Sequence, residues 1–511
     1  MRRRLETCDL VCEAPFAGGP GKVVTRPPAF MPATSSCQML ESARHACREG
    51  HYAEAEVLCR DLLERTPADG EVPYLLGLVL HHTGREAEAE QWLRHTAELD
   101  PRSPNAYYAL GCVYAATGKA ASAADAFAAT LQQNPTHLNA HYGLGNACYE
   151  LRDFERAVSI YRQALALNPQ DFELWNNLGR ALEASLRTGE ALAAYERAIE
   201  IQPEFGLARS NHALALLSLG RLQEGLREYE WRWRKIPPRP YSQPFWRGQP
   251  IPGKRLLICA EQGFGDVIQF VRFTSRARAQ AGQVILECQA PLKRLFEHAR
   301  CADTVIAVGE TLPPFDYYIP VMSLPLVLGT TLETIPRNPW LVAPVAEPLP
   351  PVPPGHCKVG LAWAGSPANF NDARRSISFL ELRAILAQPG IAFFGLQVPM
   401  RPEDQTQVSV TPHLVPLTGR LNDFYDTAGC LGQMDLVLSV DTAVAHLAGA
   451  LGKPTWTLLP QPGDWRWLLE RTDSPWYPTM RLFRQSQSGQ WPPVIARMAE
   501  ELGRWATARN D

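Results

Sequence analysis

The sequence predicts two architectures in one chain: an all-helical repeat region over residues 36–235, then a two-part region of alternating strands and helices over 236–511. Three observations carry this reading. Prolines 67, 101, 135, 169 and 203 stand 34 residues apart, a period at which a helix–turn–helix unit repeats. After residue 255, short apolar runs alternate with helical patterns, as in parallel sheets covered on both faces. Eight prolines between 336 and 354 then divide the second region in two, as a stiff linker does.

The repeat register is consistent from copy to copy. Gly77, Gly111, Gly145 and Gly179 recur at the 34-residue spacing, with Ala43 and Ala213 in the same slot at the two ends. A second small position runs through Ala55, Ala89, Ala123, Ala157 and Ala191 to Gly225, and an aromatic slot holds Phe127, Tyr161, Tyr195 and Tyr229. Small residues let paired helices approach, and the aromatic fills the wedge toward the next pair. Residues 1–35 keep no such period and include Gly18-Gly19-Pro20-Gly21 and Pro27-Pro28, the composition of a poorly ordered leader. The aromatic run Tyr229 to Trp233 precedes Pro237-Pro238 and is expected to plug the last repeat.

These six in-phase units, starting near residues 36, 70, 104, 138, 172 and 206, resemble the tetratricopeptide repeat family. The resemblance implies a superhelix whose concave face holds a peptide or partner protein. Asn105, Asn139, Asn177 and Asn211 are candidates for that face, Asn105 with Asn139 and Asn177 with Asn211 repeating the spacing. Helix capping is the competing role for them.

In the second region, strands are expected at 255–260, 284–287, 304–308 and 317–320, then at 357–364, 391–396, 415–417, 436–440 and 455–459. This gives a first half over 236–350 and a second half with a terminal helix over 351–511. Two such halves would present strand ends and helix starts to a ligand between them.

Composition narrows the function. With 50 Lys+Arg, 53 Asp+Glu and a net charge of −3, nothing draws the chain toward nucleic acid. No apolar run reaches the roughly 18 residues of a spanning helix, and no secretory signal follows Met1-Arg2-Arg3-Arg4. Twelve dispersed cysteines fit a reducing compartment better than a disulfide scaffold, so a cytoplasmic protein is expected. The Cys8/Cys12 pair has no partner pair at metal spacing, and neither HExxH nor GxxxxGK[ST] occurs. A glycine pair followed by Asp266 is also not a complete dinucleotide fingerprint.

Glu261-Gln262-Gly263-Phe264-Gly265-Asp266 follows the first strand, and Ser439 to Pro454 (SVDTAVAHLAGALGKP) follows a later one. Together they resemble the opening loop and donor-site signature of heptosyltransferase-like, glycosyltransferase family 9-like enzymes. The arrangement is also similar to bacterial O-GlcNAc-transferase-like proteins. The resemblance implies an α + α/β chain: a tetratricopeptide superhelix followed by a GT-B fold with two Rossmann-like halves. It also implies Asp266 as general base and a nucleotide-diphosphate sugar held by the second half.

The residues have their own chemistry. Gly263 and Gly265 permit a tight approach to a ligand, and Asp266 at a helix start is either a cap or a proton acceptor. Asp441, Thr442 and Ala443 open a helix whose backbone N–H groups suit a diphosphate, with His446 one turn on. Ser366 with Arg374 or Arg375 suits phosphate oxygens, where some relatives carry lysine; two surface arginines before a capped helix is the competing reading. Gln262, Gln397, Asp464 and Trp465 complete the candidate cleft, the aromatics near Trp465 and Trp476 either framing it or sealing the halves together.

The expected function is inverting, metal-independent transfer of a sugar from an ADP-, UDP- or GDP-linked donor to a hydroxyl, on a protein recruited by the repeats, with no cofactor required. The alternatives are a repeat scaffold with a non-catalytic nucleotide-sugar site, and a heptosyltransferase acting on a saccharide or lipid-linked acceptor.

Overall fold

The computed structural model describes residues 35–66, 70–235, 239–369 and 371–510. The expected leader, apart from Ser35, lies outside these residues, as do Cys8, Cys12, Pro67, Pro237 and Pro238. The chain divides into two compact units between Pro203 and Glu204.

The described part of the first unit is five helix pairs: α1 (Ser36–Arg48) and α2 (Tyr52–Arg65), α3 (Glu71–His82) and α4 (Glu86–Leu99), α5 (Pro104–Ala116) and α6 (Ala120–Gln133), α7 (Leu138–Glu150) and α8 (Phe154–Leu167), α9 (Phe172–Ala184) and α10 (Thr188–Ile201). Each helix packs on the next, giving a superhelical stack. Helix starts are set locally. Ser35 and Gln38 form a capping box, Ser103 caps α5 ahead of Pro104, and Asp171 accepts from the Glu173 and Leu174 amides of α9. The periodic glycines and aromatics are one packing device. A Cβ on Gly111 would lie 2.5 Å from the Phe127 ring, and one on Gly143, in the next pair, 2.6 Å from the same ring. Phe127, Tyr161 and Tyr195 are accordingly buried to 1% exposure or less. One aromatic thus ties its own pair to the following one.

The second unit begins with the sixth pair, α11 (Gly206–Ser218) and α12 (Leu222–Tyr229), and the short α13 (Arg232–Lys235). Leu217, Leu222 and Leu226 of this pair share an apolar core with Trp246, Leu256, Phe270 and Trp467. Compactness therefore separates the chain one repeat earlier than the composition shift near residue 235.

Two parallel sheets follow. The first half carries β1 (Ile251–Cys259), α14 (Phe264–Phe270), α15 (Thr274–Arg278), β2 (Ala281–Cys288), α16 (Ala290–His298), β3 (Thr304–Ala307), β4 (Tyr317–Pro320) and α17 (Leu324–Val327), with sheet order β3-β2-β1-β4. The second carries β5 (Cys357–Ala362), α18 (Asp372–Arg375), α19 (Arg383–Leu386), β6 (Ile391–Gly395), α20 (Pro402–Ser409), β7 (Leu414–Pro416), α21 (Phe424–Gly432), β8 (Leu436–Val440), α22 (Ala443–Ala450), β9 (Thr455–Leu459), β10 (Met480–Arg484) and α23 (Pro492–Asn510). Its order is β10-β9-β8-β5-β6-β7. Nine strands fall where the apolar runs place them; β10 does not, because Arg481 and Arg484 interrupt its apolar run. The helical stretch that follows Gly263 is broken into α14 and α15 by a 3-10 turn, Val271–Phe273.

The proline-rich 336–354 segment is a packed crossover. The Trp340 and Leu341 amides donate to Ala450 O, and Ala343 and Ala346 lie against Gly432 and Gly429. The two halves meet through α14 on α22 and α16 on α21. No helix among the described residues is long and apolar enough to cross a membrane.

Candidate functional site

Parallel strands deliver their carboxyl ends to one edge of a sheet, and the loops there carry the candidate residues. After β1, Glu261 is clamped by Arg232, whose Nε and Nη2 donate to it at 3.0 and 2.9 Å, and it accepts from the Met322 amide at 3.0 Å. Gln262 has φ +61° and donates from Nε2 to Tyr229 Oη at 2.7 Å. The sixth helix pair therefore braces this loop directly. Burial pushes the Glu261 carboxyl up, against the pull of Arg232.

Asp266 lies in the first turn of α14 (264–270). Its Oδ2 accepts from the Gly263 amide at 2.9 Å, and its Oδ1 accepts from Arg466 Nη2. It is thus a cap and an ion-pair partner at once. Gly265 is a point of close approach between the halves: a Cβ there would lie 2.8 Å from His446 Cδ2. The open cleft expected around Asp266 is therefore closed in this structure by the Arg466 contact and the α14–α22 packing.

The second half contributes three loops, after β8, β5 and β9. After β8, Asp441 and Thr442 precede α22 (443–450). The Thr442 side chain makes no capping bond to the helix and pairs with Ser439 Oγ at 3.2 Å, and Ala443 opens the helix, half-buried. Asp441 is 14% exposed, and its carboxyl is pushed up to about 6 by burial and by the Asp464 carboxylate, against the Trp467 side chain, Arg375 and Arg466. His446 is buried, with Nδ1 2.7 Å from Tyr477 Oη, Nε2 3.9 Å from Asp441 Oδ1, and its ring stacked on Trp467. Burial, then Arg466, Arg272 and Arg375, hold it well below the usual histidine range, so it is neutral near pH 7.

After β5, Arg375 reaches across to donate from Nη1 to Asp441 O at 2.9 Å, while its buried Nε has no hydrogen-bond partner. Arg375 is the arginine brought to the α22 start. Arg374 is half-buried beside it and Ser366 is exposed. Gln397 is not available to a ligand: its Oε1 accepts from the Trp363 and Ala364 amides and its Nε2 donates to Pro399 O.

After β9, Asp464 caps the 3-10 turn Trp465–Trp467 and accepts from Arg466 Nη1 at 2.8 Å. Trp465 is 5% exposed and packs on Phe270 and Trp476, so it seals the halves and offers no ligand face. Trp476 and Tyr477 do likewise, around the buried Arg272, whose Nη1 donates to Trp476 O at 2.7 Å.

Arg466 and Arg401 are not among the sequence candidates, and Tyr229 stands there only as a packing aromatic of the last repeat. Arg401 pairs with Asp372, which also lies 3.8 Å from Arg375 Nε. Arg466 had one visible signal, a charge between two tryptophans in a run that proves buried. Among the described residues no group of three or more His, Cys, Asp or Glu is arranged to hold a metal ion.

In the repeats, Asn105 and Asn139 are exposed one residue inside α5 and α7, and the capping side chains are Ser103 and His137. Asn177 is buried and accepts from Asn176 Nδ2 at 3.4 Å, and Asn211 is half-buried in α11. Two surface grooves stand apart from all these loops. One, of ≈ 520 Å³, involves Leu380, Arg383, Gln407 and Val410; the other, of ≈ 630 Å³, lies over Trp175 between Arg162 and Arg197.

Tetratricopeptide-repeat models match residues 46–111, 108–172, 149–204 and 176–240. Protein FlbA of Caulobacter vibrioides is 30% identical over 334 residues, 58% of this chain and 55% of FlbA, so the chain spans about half the length of that relative. Two solved structures resemble about a third of the chain. MamA AMB-1 is 22% identical, covering 32% of this chain and 90% of its own, with a TM-score of 0.31. YrrB, described as a TPR protein with an unusual peptide-binding site, is 21% identical, covering 35% and 93%, with a TM-score of 0.33. Residues 46–240 of this protein are a tetratricopeptide-repeat region.

Proposed function

We propose that the chain is an inverting, metal-independent glycosyltransferase of GT-B type that uses a nucleotide-diphosphate sugar. One observation carries this reading. Asp266, from the β1 edge of one parallel sheet, converges with Arg375, Asp441, His446 and Arg466 from the β5, β8 and β9 edges of the other. A carboxylate facing buried guanidinium groups and the start of an eight-residue helix suits an acceptor hydroxyl on one side and a diphosphate on the other.

In this reading Arg375 and the α22 amides hold the diphosphate and supply the charge that neutralises it. Asp441, kept partly protonated near pH 6, faces the sugar hydroxyls. Asp266 receives the acceptor proton as the acceptor oxygen bonds to the anomeric carbon from the face opposite the diphosphate. The breaking carbon–oxygen bond leaves its electron pair on the diphosphate. The repeats recruit the acceptor, a protein or peptide; a saccharide or lipid-linked acceptor is the variant reading.

A second reading is favoured by a specific contact. Asp266 already serves as a cap and a partner of Arg466, which suits a tetratricopeptide scaffold whose α/β unit binds a nucleotide sugar without turnover. Calorimetric titration with ADP, UDP and GDP, followed by turnover of the matching sugar conjugates, separates the two. Transfer supports the enzyme, binding without transfer to any acceptor supports the scaffold, and binding of no diphosphate by the folded protein removes both.

A further inference from the structure

We propose that Arg466 is a two-position residue. It holds Asp266 in the free protein and transfers to the donor diphosphate in the complex, so that Asp266 becomes a proton acceptor only after the donor is in place. The proposal rests on the transferase reading and adds an order of events to it.

The geometry of Arg466 is divided between two tasks. Nη1 is tethered to Asp464 Oδ1 at 2.8 Å, and Asp464 is fixed as the cap of the turn that carries Arg466. Nη2 reaches across to Asp266 Oδ1. Nε is buried without a partner in a side chain only 8% exposed. A buried guanidinium N–H left unmade is costly, and a phosphate oxygen is a fitting acceptor for it and for the neighbouring Nη2 together. Arg375 Nε also lacks a hydrogen bond, although the Asp372 carboxylate lies 3.8 Å away. Of Arg375, it is Nη1 that reaches the loop before α22, donating to Asp441 O.

Asp266 is equally divided. Its Oδ2 is anchored by the Gly263 amide at 2.9 Å, whereas among the described residues Oδ1 is held by Arg466 alone. Departure of Arg466 would free Oδ1 and leave the carboxylate in place. While paired, Asp266 has Oδ1 occupied by the Arg466 N–H, so that oxygen is not open to an acceptor hydroxyl. A diphosphate carries more negative charge than one carboxylate and accepts bidentately, so it competes for Arg466 with advantage. During transfer the acceptor O–H proton passes to Asp266 Oδ1, the acceptor oxygen bonds to the anomeric carbon, and the electron pair of the broken bond stays on the diphosphate. Without donor, Oδ1 is blocked. The contact thereby makes proton acceptance by Oδ1 wait for the donor.

The test is a double-mutant cycle on the full chain, read as the affinity for UDP, ADP and GDP by calorimetry. Asp266→Asn removes the competitor for Arg466 and should tighten binding of the recognised diphosphate about tenfold. In an Arg466→Gln background the same change should have no effect on affinity. An Asp266→Asn affinity within about twofold of the parent overturns the exchange. So does a tenfold gain that persists with Arg466→Gln, since that is simple relief of charge repulsion. If Arg466→Gln does not fold, a crystal structure of the unaltered chain with the bound diphosphate decides: separation of Arg466 from Asp266 supports the exchange and retention overturns it. Binding of no diphosphate by either the parent or Asp266→Asn removes the transferase reading and the exchange with it, an outcome distinct from binding that is merely unaltered.

Discussion

The two compact units build their interiors by opposite means. In the first, Phe127 meets Gly111 and Gly143, 16 residues away on either side, and each helix touches mainly its sequence neighbours. In the second, Asp266 meets Arg466 across 200 residues, and Leu222 of the sixth helix pair shares a core with Trp467. A repeat array is a sum of local units and their interfaces. The α/β unit is one cooperative body whose site exists only when both sheets and the sixth repeat are assembled.

Several outcomes would break or sharpen that contrast. Phe127→Ala empties the wedge between two helix pairs and should cost about 3–5 kcal/mol of repeat stability, read by thermal unfolding with circular dichroism. Nucleotide affinity should be unchanged; a parallel loss of it would mean the units are not independent.

Asp441→Asn tests the charge balance at the α22 start. The folded carboxyl titrates near 6 against an ordinary 3.8, so between those values the folded chain binds the extra proton and stability falls as pH rises. The wild type should therefore be less stable than Asp441→Asn above pH 6 by about 3 kcal/mol. The gap should close as pH falls toward 4, as followed by urea unfolding across that range. A constant gap would show that the carboxyl does not titrate there.

Asp266→Asn should reduce turnover of the donor sugar about 100-fold or more without weakening diphosphate binding. Full activity in this variant would end its role as base while keeping the transferase reading. The smallest effect belongs to helix capping. Asp171→Ala removes acceptors for two amides of α9 and should cost about 1 kcal/mol. That loss is measurable by hydrogen exchange in α9 and α10 and absent from the sheets.

Much of the fold was legible because its determinants are near in sequence. The 34-residue register exposed every helix pair, and nine strands announced themselves as apolar runs. The helix starts at Ser35 and Ser103 were equally local. The site was legible only in part. Asp266, Asp441, Thr442 and His446 stand in recognisable loops, yet nothing in the order of residues says that Arg375, not Arg374, turns toward Asp441. Gln397 and Trp465 carried the side chains of a cleft and turned out to be a strand clasp and a seal, because burial depends on what the other sheet brings.

The sequence by itself determined the repeat array, the two alternating halves and the loops that carry polar chemistry, since periodicity, strand hydrophobicity and capping act over a few residues. Only the tertiary structure decided that the sixth repeat belongs to the α/β unit, that Tyr229 braces Gln262, and that Arg466 occupies Asp266. Those contacts join segments from 33 to 200 residues apart and, in the shared core, further still, and their partners are selected by packing geometry and desolvation, which no local pattern encodes.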